Sequence, residues 1–182
     1  MNTYRIHTIE SAPEKSKPSL EGLKQAFGMV PNLAATMADS PALINSFVAA
    51  FGNFHGGSLT GAQRQAILLT NAVTNASAWA VAFHSTLALK EGISADDVRA
   101  IRERRLPSDA RYAPVSALAR ALNEKRGHLD DADVNAFLSA GFGQDQVFEV
   151  IAGVAISVMA NYAGNVANPP LEAPFQAQAW SR

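Results

Sequence analysis

The chain has 182 residues, 48% hydrophobic and 17% charged, with a formal net charge of −1. That is enough for one domain with its own core, and too apolar for wholesale disorder. It offers no basic field for nucleic acid or an anionic membrane surface, and the absence of cysteine excludes disulfides, thiolate metal sites and thiol nucleophiles.

Residues 1–18 are polar, contain Pro13 and Pro18, and read as an extended arm. Their start has no basic-then-apolar signal pattern. Ser19 is placed to cap a short helix carrying Leu20, Leu23 and Phe27, which Gly28-Met-Val-Pro31 breaks. Ser40-Pro41 is a strong helix start; Leu43, Phe47 and Phe51 follow on one face as far as His55-Gly56-Gly57. Thr60 opens the next helix, with Ile67, Leu68 and Leu69 near its centre, running towards Asn75. Another runs from near Ser77 to Gly92, a residue suited to the left-handed position after a helix.

Ser94-Ala-Asp-Asp97 reads as a capping box, with Asp in place of Glu. Its helix ends in Arg102, Arg104 and Arg105 before Pro107. With Arg99 these arginines read as a solvated helix end complementing the helix dipole, ahead of a phosphate site. Pro114 to Arg126 is helical, with Val115, Leu118, Ala119 and Leu122 as its stripe. Asp130 caps a short helix containing Val134, Phe137 and Leu138, stopped by Gly141.

The last helix is predicted from Gln144 to Tyr162 and is apolar almost all round, the pattern of a central core helix or an oligomer interface. Its longest apolar run, Val150 to Ala160, is shorter than the ~20 residues of a bilayer crossing. A cytoplasmic protein without membrane contact is expected. The tail from Asn168 keeps Leu171, Phe175 and Trp180 among prolines, which suits packing on the body or on a neighbouring subunit. No window holds a strand period. The chain therefore reads as all-α and one domain: an arm over 1–18, a helical body over 19–167 and an extended tail over 168–182.

The segment Ser77-x-Trp79-Ala80-x-x-x-His84 resembles the redox segment of the alkylhydroperoxidase D-like, or carboxymuconolactone decarboxylase, family, where the pattern is Cys-x-(Tyr/Trp)-Cys-x-x-x-His. Val30-Pro31-Asn32, Ser40-Pro41-Ala42, the stretch from His84 to Gly92, and Asn161-Tyr162 through Asn168-Pro169-Pro170-Leu171-Glu172 extend the likeness. It covers roughly residues 19 to 175 and points to the peroxidase-related branch.

The resemblance implies a helical bundle that assembles as a homo-oligomer, with dimer, trimer and hexamer all open. In that family a thiolate attacks a peroxide, a second cysteine closes a disulfide, and a histidine and a glutamate move protons. Carried over, Ser77 and Ala80 stand at the two cysteines. Gln65, in Leu59-Thr60-x-x-x-x-Gln65, stands at the relay glutamate, Trp79 at the aromatic position and His84 at the histidine. Dithiol peroxidase chemistry by this route is not available to this sequence. Decarboxylating relatives place a glutamate at the second cysteine position; here it is Ala80, so the lactone chemistry lacks its carboxylate too.

His84 is therefore read either as a general acid or base in a pocket or as a structural histidine. Ser77 as a nucleophile would need a base in reach, and seven residues of helix separate it from His84 by about 10 Å. A local capping role suits it better. Gln65 can orient a ligand or satisfy a buried polar position. Trp79 and Phe83, four apart, either line an apolar pocket or pack the core. His7, His55, His84 and His128 show no short metal-ligand spacing, and no metal or organic cofactor is expected. Two functions follow: a redox-silent protein binding a small apolar or carbonyl-bearing molecule, or a non-thiol enzyme using His84 for proton transfer.

Overall fold

A computed structural model describes residues 4–181; residues 1–3 of the expected arm and residue 182 of the tail lie outside the described residues. After a 3-10 turn at Glu14–Ser16, the helices are α1 (Lys17–Phe27), α2 (Asn32–Met37), α3 (Pro41–His55), α4 (Gly61–Thr74), α5 (Ala78–Lys90), α6 (Ala95–Arg102), α7 (Ala113–Glu124), α8 (Asp131–Ser139) and α9 (Gln144–Ala167). A second 3-10 turn, Ala173–Gln178, sits in the tail. No strand occurs among the described residues.

The starts and stops follow local chemistry. Ser40 Oγ accepts from Leu43 N at the head of α3. Thr60 and Gln63 form a reciprocal capping box on α4, whereas on α8 the Asp133 carboxylate accepts from Asp130 N and the Asp130 side chain makes no capping bond. Gly28 and Gly92 take positive φ where α1 and α5 end, a conformation that costs glycine nothing.

Four expectations shift. α1 begins at Lys17 with Pro18 in its first turn, so Ser19 lies inside the helix and its hydroxyl donates to Asn45 Oδ1 at 2.6 Å. At α6, Ser94 caps Asp97 N, but the Asp97 carboxylate accepts from Ser108 N and Oγ instead of closing the box. α9 continues five residues beyond Tyr162, to a left-handed Asn168. At 24 residues, with a mean hydropathy of 1.5 over an 18-residue stretch, it has the length and composition to cross a membrane, which the apolar run alone did not suggest. The tail is not wholly extended either, since it coils into the 3-10 turn.

The core is built around α4, whose Gln65–Val73 stretch is buried throughout. It packs on α5, α6, α7 and α9, while α9 also touches α2, α3, α5 and α8. Burial of Ile67, Leu69, Val81, Ile101, Leu118 and Ile156 contributes about 1.5–3 kcal/mol per side chain. Gly153 lets α9 approach closely: a Cβ there would lie 2.9 Å from Ile67 Cγ2 and 3.0 Å from Phe54 Cζ. This packing holds α5 between the core and the tail.

The tail is fastened by specific bonds. Arg102 donates to Gln178 O, Ala179 O and Ser85 Oγ, so it ties the chain end to α5 and α6. Arg99, Arg104 and Arg105 pair instead with Asp96, Glu124 and Glu103, leaving no shared anion cradle.

Candidate functional site

Helices α1, α2, α3, α4, α5 and α9 leave a cavity of about 50 Å³ between them. Its wall is aromatic and aliphatic: Phe27 from α1, Phe47 and Phe51 from α3, Trp79 and Phe83 from α5, and Met37 and Ile156 from α2 and α9. Trp79 stacks on Phe83 at 4.9 Å between centroids, and Phe175 from the tail sets its edge against both. Trp79 and Phe83 thus pack the core and line the cavity at once. The Trp79 N–H is turned away, donating to Glu172 Oε2 at 2.8 Å.

His84 and Ser157 are the other lining side chains that carry hydrogen-bonding groups. His84 Nδ1 lies 3.0 Å from Gln65 Oε1. An amide oxygen only accepts, so Nδ1 carries the ring proton and Nε2 presents a lone pair. Nε2 has no hydrogen-bond partner among the described residues. Although ringed by protein, His84 keeps part of its surface accessible and lines the cavity. Burial disfavours the imidazolium, and His55 nearby adds a smaller unfavourable contribution, so its pKa falls to about 3. His84 is neutral at physiological pH.

The structure brings Gln65 to His84 but not Ser77. Ser77 sits at the N-cap of α5 without a capping bond. It is 1% exposed, its Oγ has no partner, and it does not line the cavity. A Cβ on Gly164 would lie 3.2 Å from that Oγ, so the hydroxyl faces α9. Ala80 lines the cavity and contributes only a methyl group.

Phe51, His55, Ser157 and Glu172 were not among the site residues expected from the sequence. Phe51 and His55 follow Phe47 at helical spacing on α3, a signal that does point to one face. His55 stacks on Phe51 at 3.8 Å, donates from Nδ1 to Phe51 O, and is held below its ordinary pKa, chiefly by burial. Ser157 had a weaker signal, a lone hydroxyl in an apolar helix. Glu172 had none that ties it to Trp79. Among the described residues no three His, Asp or Glu side chains converge on a metal-sized space.

The matched family model spans α3 to α7. Residues 41–124 match the model of the carboxymuconolactone decarboxylase family. The family segment therefore supplies Phe47, Phe51, Trp79, Ala80, Phe83 and His84, while α1, α2 and α9 close the cavity from outside it. No curated protein matches the chain.

Solved structures extend the likeness over the whole fold. A peroxidase-related protein with an alkylhydroperoxidase AhpD core, from Ralstonia eutropha JMP134, superposes with a TM-score of 0.82 at 17% identity, over 94% of this chain and 93% of its own. A peroxidase-related protein from Silicibacter sp. TM1040 gives 0.80 at 18% identity, over 97% and 93%. A cysteine-to-alanine variant of the debrominase Bmp8, in complex with 2,3,4-tribromopyrrole, gives 0.79 at 19%, over 98% and 95%. At these identities the likeness establishes the alkylhydroperoxidase D-like bundle.

Proposed function

We propose that this protein is a redox-silent member of its family that binds a small apolar, ring-shaped molecule in the cavity beside His84. One observation carries the reading: a wall of Phe27, Phe47, Phe51, Trp79 and Phe83 that admits a neutral imidazole at one point. Such a wall, with a few placed polar groups, is the usual composition of a small-molecule site. The structurally similar debrominase holds a halogenated pyrrole, which fits the same class of ligand. Ser77 and Ala80 carry no thiol, so peroxide reduction through a disulfide has no chemical basis here.

The resting cavity of about 50 Å³ is smaller than the ~150 Å³ that holds benzene in an engineered apolar cavity. Binding therefore requires side chains to swing outward, and the half-buried Phe27, Phe47 and Phe51 are the ones with room. Catalysis by His84 as a base is the weaker reading. A base is most effective when its pKa lies near the working pH, and about 3 is far below it. The exposed Phe148, Tyr162 and Val166 on α9 support the expected assembly with further copies of the chain, which sedimentation would test.

The binding test is a thermal-shift and titration series with pyrrole, indole and phenol. Saturable stabilisation is expected, and Ala80→Phe, which fills the cavity, should abolish it. No stabilisation by any of them would overturn the pocket reading. Dithiol-dependent consumption of an alkyl hydroperoxide, well above buffer, would overturn the redox-silent one.

A further inference from the structure

The hydrogen bonds behind the cavity wall fix what its two available polar side chains can do. Ser157 Oγ is 2.7 Å from Gly153 O and 3.0 Å from Asn71 Nδ2. Asn71 is fully buried and cannot turn its amide round. Its Nδ2 also faces the Gly153 carbonyl at 3.3 Å, and its Oδ1 receives Asn123 Nδ2 at 2.6 Å. Asn123 Nδ2 in turn donates to Ala119 O at 2.9 Å.

Carbonyl oxygens accept only, so the directions propagate along the chain. Asn123 donates to Asn71, and Asn71 donates to Ser157. Ser157 spends its one proton on Gly153 O, so a single lone pair is left. His84 stands the same way: with Nδ1–H on Gln65 Oε1, Nε2 offers a lone pair and no proton. Both side chains therefore reach the end of their hydrogen-bond chains as acceptors, and Trp79 has already given its proton to Glu172.

Resting on the ligand-pocket reading, we infer that the cavity selects small aromatic molecules bearing an N–H or O–H donor, with His84 and Ser157 as the specificity-determining acceptors. An isostere whose ring heteroatom is an ether oxygen, or a ligand that presents a carbonyl, meets a lone pair with a lone pair. It also leaves the desolvated acceptors unpartnered, and an unpaired buried polar group is more costly than the mean worth of a hydrogen bond. This favours a pyrrole, indole or phenol over the carbonyl-bearing ligand that the family resemblance left open.

The test is a titration of the wild-type protein with matched pairs, pyrrole against furan and indole against benzofuran, which differ in little but N–H for O. The donor of each pair is expected to bind about tenfold tighter or more. Nitrogen NMR of the His84 ring is expected to show the proton on Nδ1 in the free protein. Ser157→Ala should shrink the contrast within each pair by severalfold.

Equal affinities within the pairs would overturn donor selection while leaving the pocket standing. A preference for furan and benzofuran, or a ring proton on Nε2, would overturn it too. Failure of all four probes to bind would remove the pocket and the selectivity together. The wild-type comparison decides the matter even if the Ser157 variant does not fold.

Discussion

Trp79 Nε1 donates to Glu172 Oε2 at 2.8 Å, joining the cavity wall on α5 to the tail across 93 positions of sequence. The other carboxylate oxygen accepts from Asn32 N at 2.6 Å, at the start of α2. One side chain of the tail, 9% exposed, thus binds two separate segments around the cavity, with Phe175 packed against the same indole.

Removing this carboxylate should loosen that wall. Glu172→Ala leaves the indole N–H and the Asn32 amide unpartnered, which costs about 1–3 kcal/mol for a buried group. Urea unfolding should show the loss. In a Trp180→Phe background, Trp79 emission should shift to the red. Unchanged stability and emission would mean that the tail is not held by this residue.

Acid should destabilise the fold through His84. Its folded pKa is about 3 against roughly 6.5 in an unfolded chain. Between those values the unfolded state binds a proton that the folded state refuses, so stability falls as pH drops from about 6.5 towards 3. The slope is at most about 1.4 kcal/mol per pH unit, and His55, also held low, acts in the same direction. His84→Phe should flatten the stability profile between pH 4 and 6.5 relative to wild type. Parallel profiles would show that the ring is not buried neutral.

Ser77 separates a capping role from the one the structure assigns. A serine that caps a helix costs about 0.5–2 kcal/mol when changed to alanine. Here Oγ makes no capping bond and has no partner, and removal of an unsatisfied buried hydroxyl is neutral or stabilising. Ser77→Ala is expected to unfold at or above the wild-type midpoint in urea. A loss of 1 kcal/mol or more would restore the cap.

Introducing thiols should confer little activity by itself. Ser77→Cys with Ala80→Cys places two thiols one helical turn apart, and a disulfide should form on mild oxidation. Peroxide turnover is expected to stay low while Gln65 is the partner of His84, because an amide cannot take up a proton at neutral pH. Adding Gln65→Glu gives His84 an ionisable partner, which should raise its pKa and increase the rate by about a hundredfold or more. Full activity in the double variant alone would show that Gln65 does not limit the site.

Much of the secondary structure was legible because its determinants are local. Ser40 and Thr60 cap the helices they precede, Asp130 stands at the N-cap position of α8, Gly28 and Gly92 end theirs, and the helical spacing of Val115, Leu118 and Leu122 marks a buried stripe. Reading errors fell where a local signal had a competing distant partner. Ser19 found Asn45, and Asp97 found Ser108. α2, six residues long, carried no propensity signal strong enough to announce it; its residues are buried by packing on α3 and α9.

What the sequence by itself determined is the all-helical bundle and the absence of thiol chemistry, since the first follows from caps and periodicity and the second from the absence of cysteine. The tertiary structure alone decided which remaining groups share a cavity. It placed Ala80 and His84 on the cavity wall and turned Ser77 towards α9. It also brought in Ser157 from the far end of the chain. Hydrogen-bond direction was decided there too: a hydroxyl can donate or accept in isolation, and fixed carbonyl neighbours such as Gly153 O remove the choice.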